Sequence, residues 1–132
     1  MSQAAVVILL IDAAGNLVNP SPIRAEPGTH VGFVLVSDHA TDKFDIKIDF
    51  DDIVLKHDKT QKKNPFVKSG TLNKQVKPFE IDLIQQRMKD KIDFVPTGSL
   101  PYTTYKYTVI VKNITTGVTQ PPYDPDIDVP PS

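Results

Sequence analysis

The segment Phe44-Asp45-Ile46-Lys47-Ile48-Asp49-Phe50 decides the fold. Phe44, Ile46, Ile48 and Phe50 fall on one side of an extended chain, and Asp45, Lys47 and Asp49 on the other. Successive side chains of a strand point to opposite faces. The alternation therefore predicts a half-exposed antiparallel strand with its apolar face toward a core.

Toward the N-terminus, Val6-Val7-Ile8-Leu9-Leu10-Ile11 is short, apolar and rich in β-branched residues, which predicts a buried strand. Asp12-Ala13-Ala14-Gly15-Asn16 is a turn cluster. Pro20 and Pro22 then interrupt the chain, as at a bend or on an edge strand. Pro27-Gly28 signals a turn. Residues 29–37 predict a second core strand: Val31, Phe33 and Leu35 face one way, while Val34 and Val36 make its other face apolar too.

Toward the C-terminus, residues 58–70 form a polar loop. Residues 78–94 carry two periods. Phe79, Ile81 and Leu83 alternate as in a strand, whereas Ile81, Ile84, Met88 and Ile92 are spaced as on a helix face. Residues 85–89 are good helix formers, so the expectation is a short strand running into a short helix over 84–91. In residues 102–112, Tyr105, Tyr107, Val109 and Val111 alternate with Lys106, Thr108, Ile110 and Lys112, a long strand. Thr115-Thr116-Gly117 is a turn. The proline-rich C-terminal tail 121–132 holds five prolines, with Ile127 and Val129 placed for a last short strand. About seven strands, turn signals between them and one short helix predict an all-β sandwich.

Composition agrees with one domain over residues 1–132. The chain has 39% hydrophobic and 23% charged residues, as ordinary globular proteins do. At this length roughly two-thirds of the unfolded surface is buried on folding, enough for a core without staples. Absence of cysteine excludes disulfides, thiolate zinc sites and cysteine nucleophiles. The longest apolar run, residues 4–11, is far short of the ~20 residues of a membrane helix. It also lacks the flanks of a secretory signal. The expectation is no membrane partner and a cytoplasmic location.

Several pieces together resemble the cupredoxin family. Pro22-Ile23-Arg24-Ala25-Glu26-Pro27-Gly28-Thr29-His30-Val31-Gly32-Phe33 looks like the family's P-G-x-x-V-x-F step into a core strand. Asp38 followed by Phe44-Asp45-Ile46-Lys47-Ile48 resembles its next loop and strand. Tyr105-Lys106-Tyr107-Thr108-Val109 resembles its late Y-x-Y strand, and Asp126-Ile127-Asp128-Val129 its closing strand. The resemblance spans about residues 4–129 and implies a single cupredoxin-like antiparallel/mixed β-sandwich. It also implies where blue-copper ligands would stand. The loop 113–126 contains no cysteine, histidine or methionine, and the early histidine position falls near Asp42 or Lys43, a few residues past His39. The implied scaffold is therefore copper-free, with no cofactor.

Other chemistry has few candidates. The three histidines are His30, His39 and His57, and none stands at a ligand spacing from another. A metal site would need His39 and His57 to converge, with carboxylates completing it. Asp45, Asp49, Asp51 and Asp52 cluster, and Asp124, Asp126 and Asp128 alternate, but neither set has a calcium-loop pattern. No G-x-S-x-G, phosphate loop or H-E-x-x-H selects a catalytic set, so no enzyme is expected. Asn113-Ile114-Thr115 matches the glycan acceptor pattern.

Charge is the most uneven feature. Residues 53–78 carry Lys56, Lys59, Lys62, Lys63, Lys68, Lys74 and Lys77 against Asp58, a balance of plus six in a chain of net charge −1. Such polarity steers acidic partners. The segment has no arginine and one aromatic, Phe66, which argues against nucleic acid. The sequence thus predicts a non-catalytic binding or structural module that recruits a protein partner through Lys56, Lys59, Lys62, Lys63 and Lys68. The alternatives are a metal-binding protein using His39 and His57, and a self-assembling subunit using an edge strand and the tail.

Overall fold

A computed structural model describes residues 4–20, 22–66, 71–76 and 103–130. These form strands β1 (Ala4–Ile11), β2 (Ile23–Arg24), β3 (His30–Ser37), β4 (Phe44–Leu55), β5 (Thr71–Val76), β6 (Thr103–Asn113) and β7 (Asp126–Val129). They make two sheets: β1–β3, and a five-stranded sheet in the order β2-β7-β6-β4-β5. The fold is all-β, and no helix occurs among the described residues. The expected strand at 79–83 and helix over 84–91 lie outside the described residues.

The alternating segment 44–50 sits near the middle of the larger sheet. Its register sets Phe44 opposite Asn113, Ile46 opposite Val111 and Ile48 opposite Val109, all antiparallel. Phe44, Ile46, Ile48 and Phe50 are buried together with Tyr105, Tyr107, Val109 and Val111 of β6. The strand continues past Phe50 to Leu55, and its register on β6 shifts between Asp49 and Val54. Such a shift bends a strand and re-aims its side chains.

β1 and β3 run parallel, with Val7 beside Phe33 and Leu9 beside Leu35. The link between parallel neighbours has to cross over. Here it visits the other sheet, where Ile23 and Arg24 pair parallel with Ile127 and Asp128. Val34, on the outer face of β3, is also buried, in line with its apolar sequence.

One aromatic cluster joins the sheets. Phe33 of β3 meets Phe50 of β4 and Tyr107 of β6 edge-on, at 5.7 and 5.6 Å between ring centroids. Phe50 and Tyr107 stack at 4.9 Å and 8°. Edge-on and offset contacts suit the ring quadrupoles, and each fully buried large apolar side chain contributes roughly 1.5–3 kcal/mol. Burial has a polar cost: the Tyr107 hydroxyl and the Ser37 Oγ are buried without a hydrogen-bond partner among the described residues. Burial pushes the Tyr107 phenol well above its ordinary pKa.

β5 has no counterpart in the sequence reading. Thr71-Leu72-Asn73-Lys74-Gln75-Val76 has few apolar residues, and Lys74 shares the inward face of its partner Ile46. The segment is a strand because β4 offers it a ladder from Phe44 to Asp49. The described part of the proline-rich tail is equally ordered by its neighbour. Gln120 N donates to Val111 O at 2.9 Å, Val109 and Tyr123 exchange two bonds of 2.9 Å, and Tyr107 N donates to Pro125 O at 3.3 Å. Residues 120–125 thus track β6 before β7 completes the ladder, with Ile127 and Val129 facing the core. No helix among the described residues is long and apolar enough to cross a membrane.

Candidate functional site

The lysine-rich loop that follows β4 is closed by its own side chains. Leu55 N donates to Gln61 O at 3.2 Å, Lys56 N to Thr104 O at 2.9 Å and Gln61 N to Asp58 O at 3.1 Å. Asp58 accepts from Thr60 N, Thr60 Oγ1 and Gln61 Nε2 at 3.1, 2.6 and 2.8 Å. These bonds, the Thr60 hydroxyl first, hold its carboxyl below the usual range. Such side-chain-to-backbone bonds are how aspartate builds a turn. Downstream, Asn64 Nδ2 donates to Phe50 O at 3.2 Å, and its Oδ1 accepts from Phe66 N at 2.9 Å. Pro65 and Phe66 are buried, and the Phe66 ring meets Phe50 edge-on at 5.2 Å.

The five candidate lysines divide. Lys56 Nζ lies 2.6 Å from Asp126 Oδ2, and Lys106 Nζ 2.6 Å from Asp126 Oδ1. Burial alone would raise the Asp126 carboxyl, but the two lysine hydrogen bonds outweigh it and hold it low. The same bond raises Lys56. Lys62 Nζ lies 2.7 Å from Asp52 Oδ1, which lowers Asp52 and raises Lys62. Lys59 and Lys63 are exposed and form no ion pair among the described residues. Lys68 lies outside the described residues. His57 is exposed on the same loop.

At the opposite end of β4, polar groups converge. His39 Nδ1 lies 2.9 Å from the Ala13 carbonyl oxygen and Nε2 3.2 Å from Asp42 Oδ2. Asp42 also accepts from Asn113 Nδ2 at 2.9 Å and from Thr41 Oγ1 at 3.1 Å. The Asn113 bond is the largest cause of a lowered Asp42 carboxyl. Gln120 Nε2 donates to Gly15 O at 2.9 Å. Gly15 takes a φ of 89°, open to glycine, and a Cβ there would stand 3.5 Å from the His39 ring. His39, Asp42, Asn113 and Gln120 border a shallow depression of about 310 Å³. The Asn113 amide of the glycan acceptor pattern is thus engaged in the Asp42 contact.

His39 precedes β4 and His57 follows it. The 12-residue strand between them, at ~3.3 Å per residue, spans roughly 40 Å when straight and sets them at its opposite ends. The structure does not bring them to one metal, and no group of three or more potential ligands occurs among the described residues. His30 opens β3 opposite Ala4.

Sequence reasoning missed the partners of the lysines. The alternation of Asp126 and Asp128 with Ile127 and Val129 puts the two aspartates on the face away from the core, which by itself reads as a solvated face. Instead Asp126 is clamped by two lysines, and Asp128 Oδ1 accepts from Thr104 Oγ1 at 2.6 Å. Their alternation with buried Ile127 and Val129 was visible, but the cross-strand neighbours Thr104 and Lys106 follow from register alone. The His39–Asp42 spacing of three was the available signal at the other end. No protein-family model, curated protein or solved structure matches this chain.

Proposed function

We propose that this chain is a non-catalytic binding module that recruits an acidic protein partner through Lys59 and Lys63, on a copper-free cupredoxin-like sandwich. One observation carries the reading: loop 56–66 is closed by the Asp58 turn and the buried Phe66, yet it leaves these two lysines exposed and uncompensated among the described residues. A loop already held in shape loses less entropy on binding. Unpaired positive charge speeds encounter with an acidic surface. Lys56 and Lys62, held by their own aspartates, support the loop rather than reach a partner.

The scaffold part of the reading draws support from the two sheets and their shared core. The segments that resemble the family fall on β2, β3, β4, β6 and β7. The edges of the five-stranded sheet argue against self-assembly through that sheet. β2 is two residues long, and β5 carries an inward lysine. Both devices discourage strand-to-strand addition.

The test uses labelled poly-L-glutamate, titrated with the full chain at low and high salt and followed by fluorescence anisotropy. Binding should weaken several-fold with salt and lose most of its salt dependence in the Lys59→Ala/Lys63→Ala variant. Binding indifferent to salt, or identical in the variant, would remove the electrostatic reading.

A further inference from the structure

Three segments meet where His39 sits: the turn 12–16, the loop 38–43 and the turn 113–120. The two ring nitrogens of His39 each face an oxygen, at 2.9 Å from Ala13 and 3.2 Å from Asp42. A carbonyl oxygen accepts and does not donate, and neither does an ionised carboxylate. Neutral imidazole has one N–H, so it satisfies one oxygen and turns a lone pair on the other. Imidazolium has two N–H groups and satisfies both. Turning the ring over would set carbon against both oxygens, so rotation gives no way out.

We propose that His39 is a proton-operated latch: with both ring nitrogens protonated it ties the 12–16 turn to Asp42 and, through Asn113, to the 113–120 turn, and loss of one proton loosens all three.

The surroundings keep Asp42 in its accepting form. Asn113 Oδ1 takes the Thr116 N–H at 3.0 Å, which fixes Asn113 Nδ2 as the donor to Asp42. The Asp42 carboxyl is held low, by Asn113 first, so it stays ionised where imidazoles titrate, at about 6.5 in peptides. Other charged groups on the packed segments are Asp12, Asp38, Lys43 and, at the start of β4, Asp45. Asp12 Oδ1 is taken by the Ala14 and Asn16 amides at 3.0 and 2.9 Å. Residues 113–120 contain no titratable side chain. Phe44 meets the ring edge-on at 5.7 Å, so that side is apolar. The His39 side chain is 19% exposed, enough for exchange of its proton with solvent.

Local amides give the readout. Ile114 N donates to Lys43 O at 2.8 Å and Asp38 N to Ile11 O at 2.8 Å, both beside the latch. Hydrogen-exchange protection, corrected for intrinsic rates, is measured on the full chain between about pH 5.5 and 8, where histidine changes charge. Protection at Ile114 and Asp38 should fall roughly fivefold as pH rises, the scale of one partly exposed ion pair. His39→Gln should remove that fall, and His57→Gln should retain it. Asp42→Asn should also remove it, because an asparagine amide can donate to a neutral ring nitrogen. Should His39→Gln fail to fold, Asp42→Asn carries the same test. A flat response in the unmodified chain, or an equal fall in His39→Gln and Asp42→Asn, would overturn the latch.

Discussion

The two ends of β4 use the same residue types to opposite ends. Before β4, His39, Asp42, Asn113 and Gln120 spend their polar atoms on one another and on backbone carbonyls. After β4, Asp58 and Asn64 fold the loop back on itself, while Lys59 and Lys63 face solvent. The first end joins three segments; the second builds one segment and displays charge from it. The described part of the polar loop, residues 58–66, is therefore held by a few carboxylate and amide bonds and one buried ring.

Three variants break or sharpen that contrast. The largest effect should come from Phe66→Ala, which removes the ring that anchors the displayed loop on Phe50. Loss of a buried aromatic costs about 3–5 kcal/mol, read from the urea midpoint. A loss below about 1 kcal/mol would mean that the loop needs no apolar anchor.

A smaller effect should follow Asp126→Asn, which leaves Lys56 and Lys106 facing an amide. The cost should be about 1 kcal/mol, because Lys56 stands half in solvent and its share is screened. The sign with pH is fixed. The folded Asp126 carboxyl lies below its ordinary 3.8, so its contribution is complete above that value and is lost as pH falls through the lowered one. Unmodified chain and variant should therefore converge in stability under acid, and a gap that widens there would contradict the clamp.

The smallest effect should be that of Lys59→Ala/Lys63→Ala on folding. Exposed side chains that form no ion pair among the described residues should leave stability within about 0.5 kcal/mol in thermal unfolding. A marked loss would reveal a structural role and dissolve the contrast between paired and displayed lysines.

Strand positions were legible wherever a period of two met a buried face. Phe44, Ile46, Ile48 and Phe50 of β4, Tyr105, Tyr107, Val109 and Val111 of β6, and Ile127 and Val129 of β7 stand at alternate positions, and all of these are buried. Turn chemistry was legible at Gly15, Gly28 and Gly117, each at positive φ. Pairing was not legible. Nothing within β1 or β3 says that they lie side by side and parallel, since each reads as an apolar run by itself. β5 was missed because its inward face holds Lys74 between Leu72 and Val76, so no run of apolar alternation marks it. The candidate site shared this limit. The lysines could be counted from sequence, but Asp126 is seventy positions from Lys56 and its ownership of that charge depends on register.

The pairing of β2 with β7 sets an order on the making of the protein. Ile23 sits beside Ile127, about a hundred positions later in the chain. Closing so long a loop is entropically costly, and contacts of this kind slow folding. A ribosome synthesises from the N-terminus, so β1 and β3 can meet while most of the larger sheet is still unmade. β2 cannot find its neighbour until residues 126–129 have left the exit tunnel. The nascent chain must therefore carry Ile23 and Arg24 without that partner while about a hundred further residues are made, and β7 is the strand that joins β2 to the rest of the larger sheet.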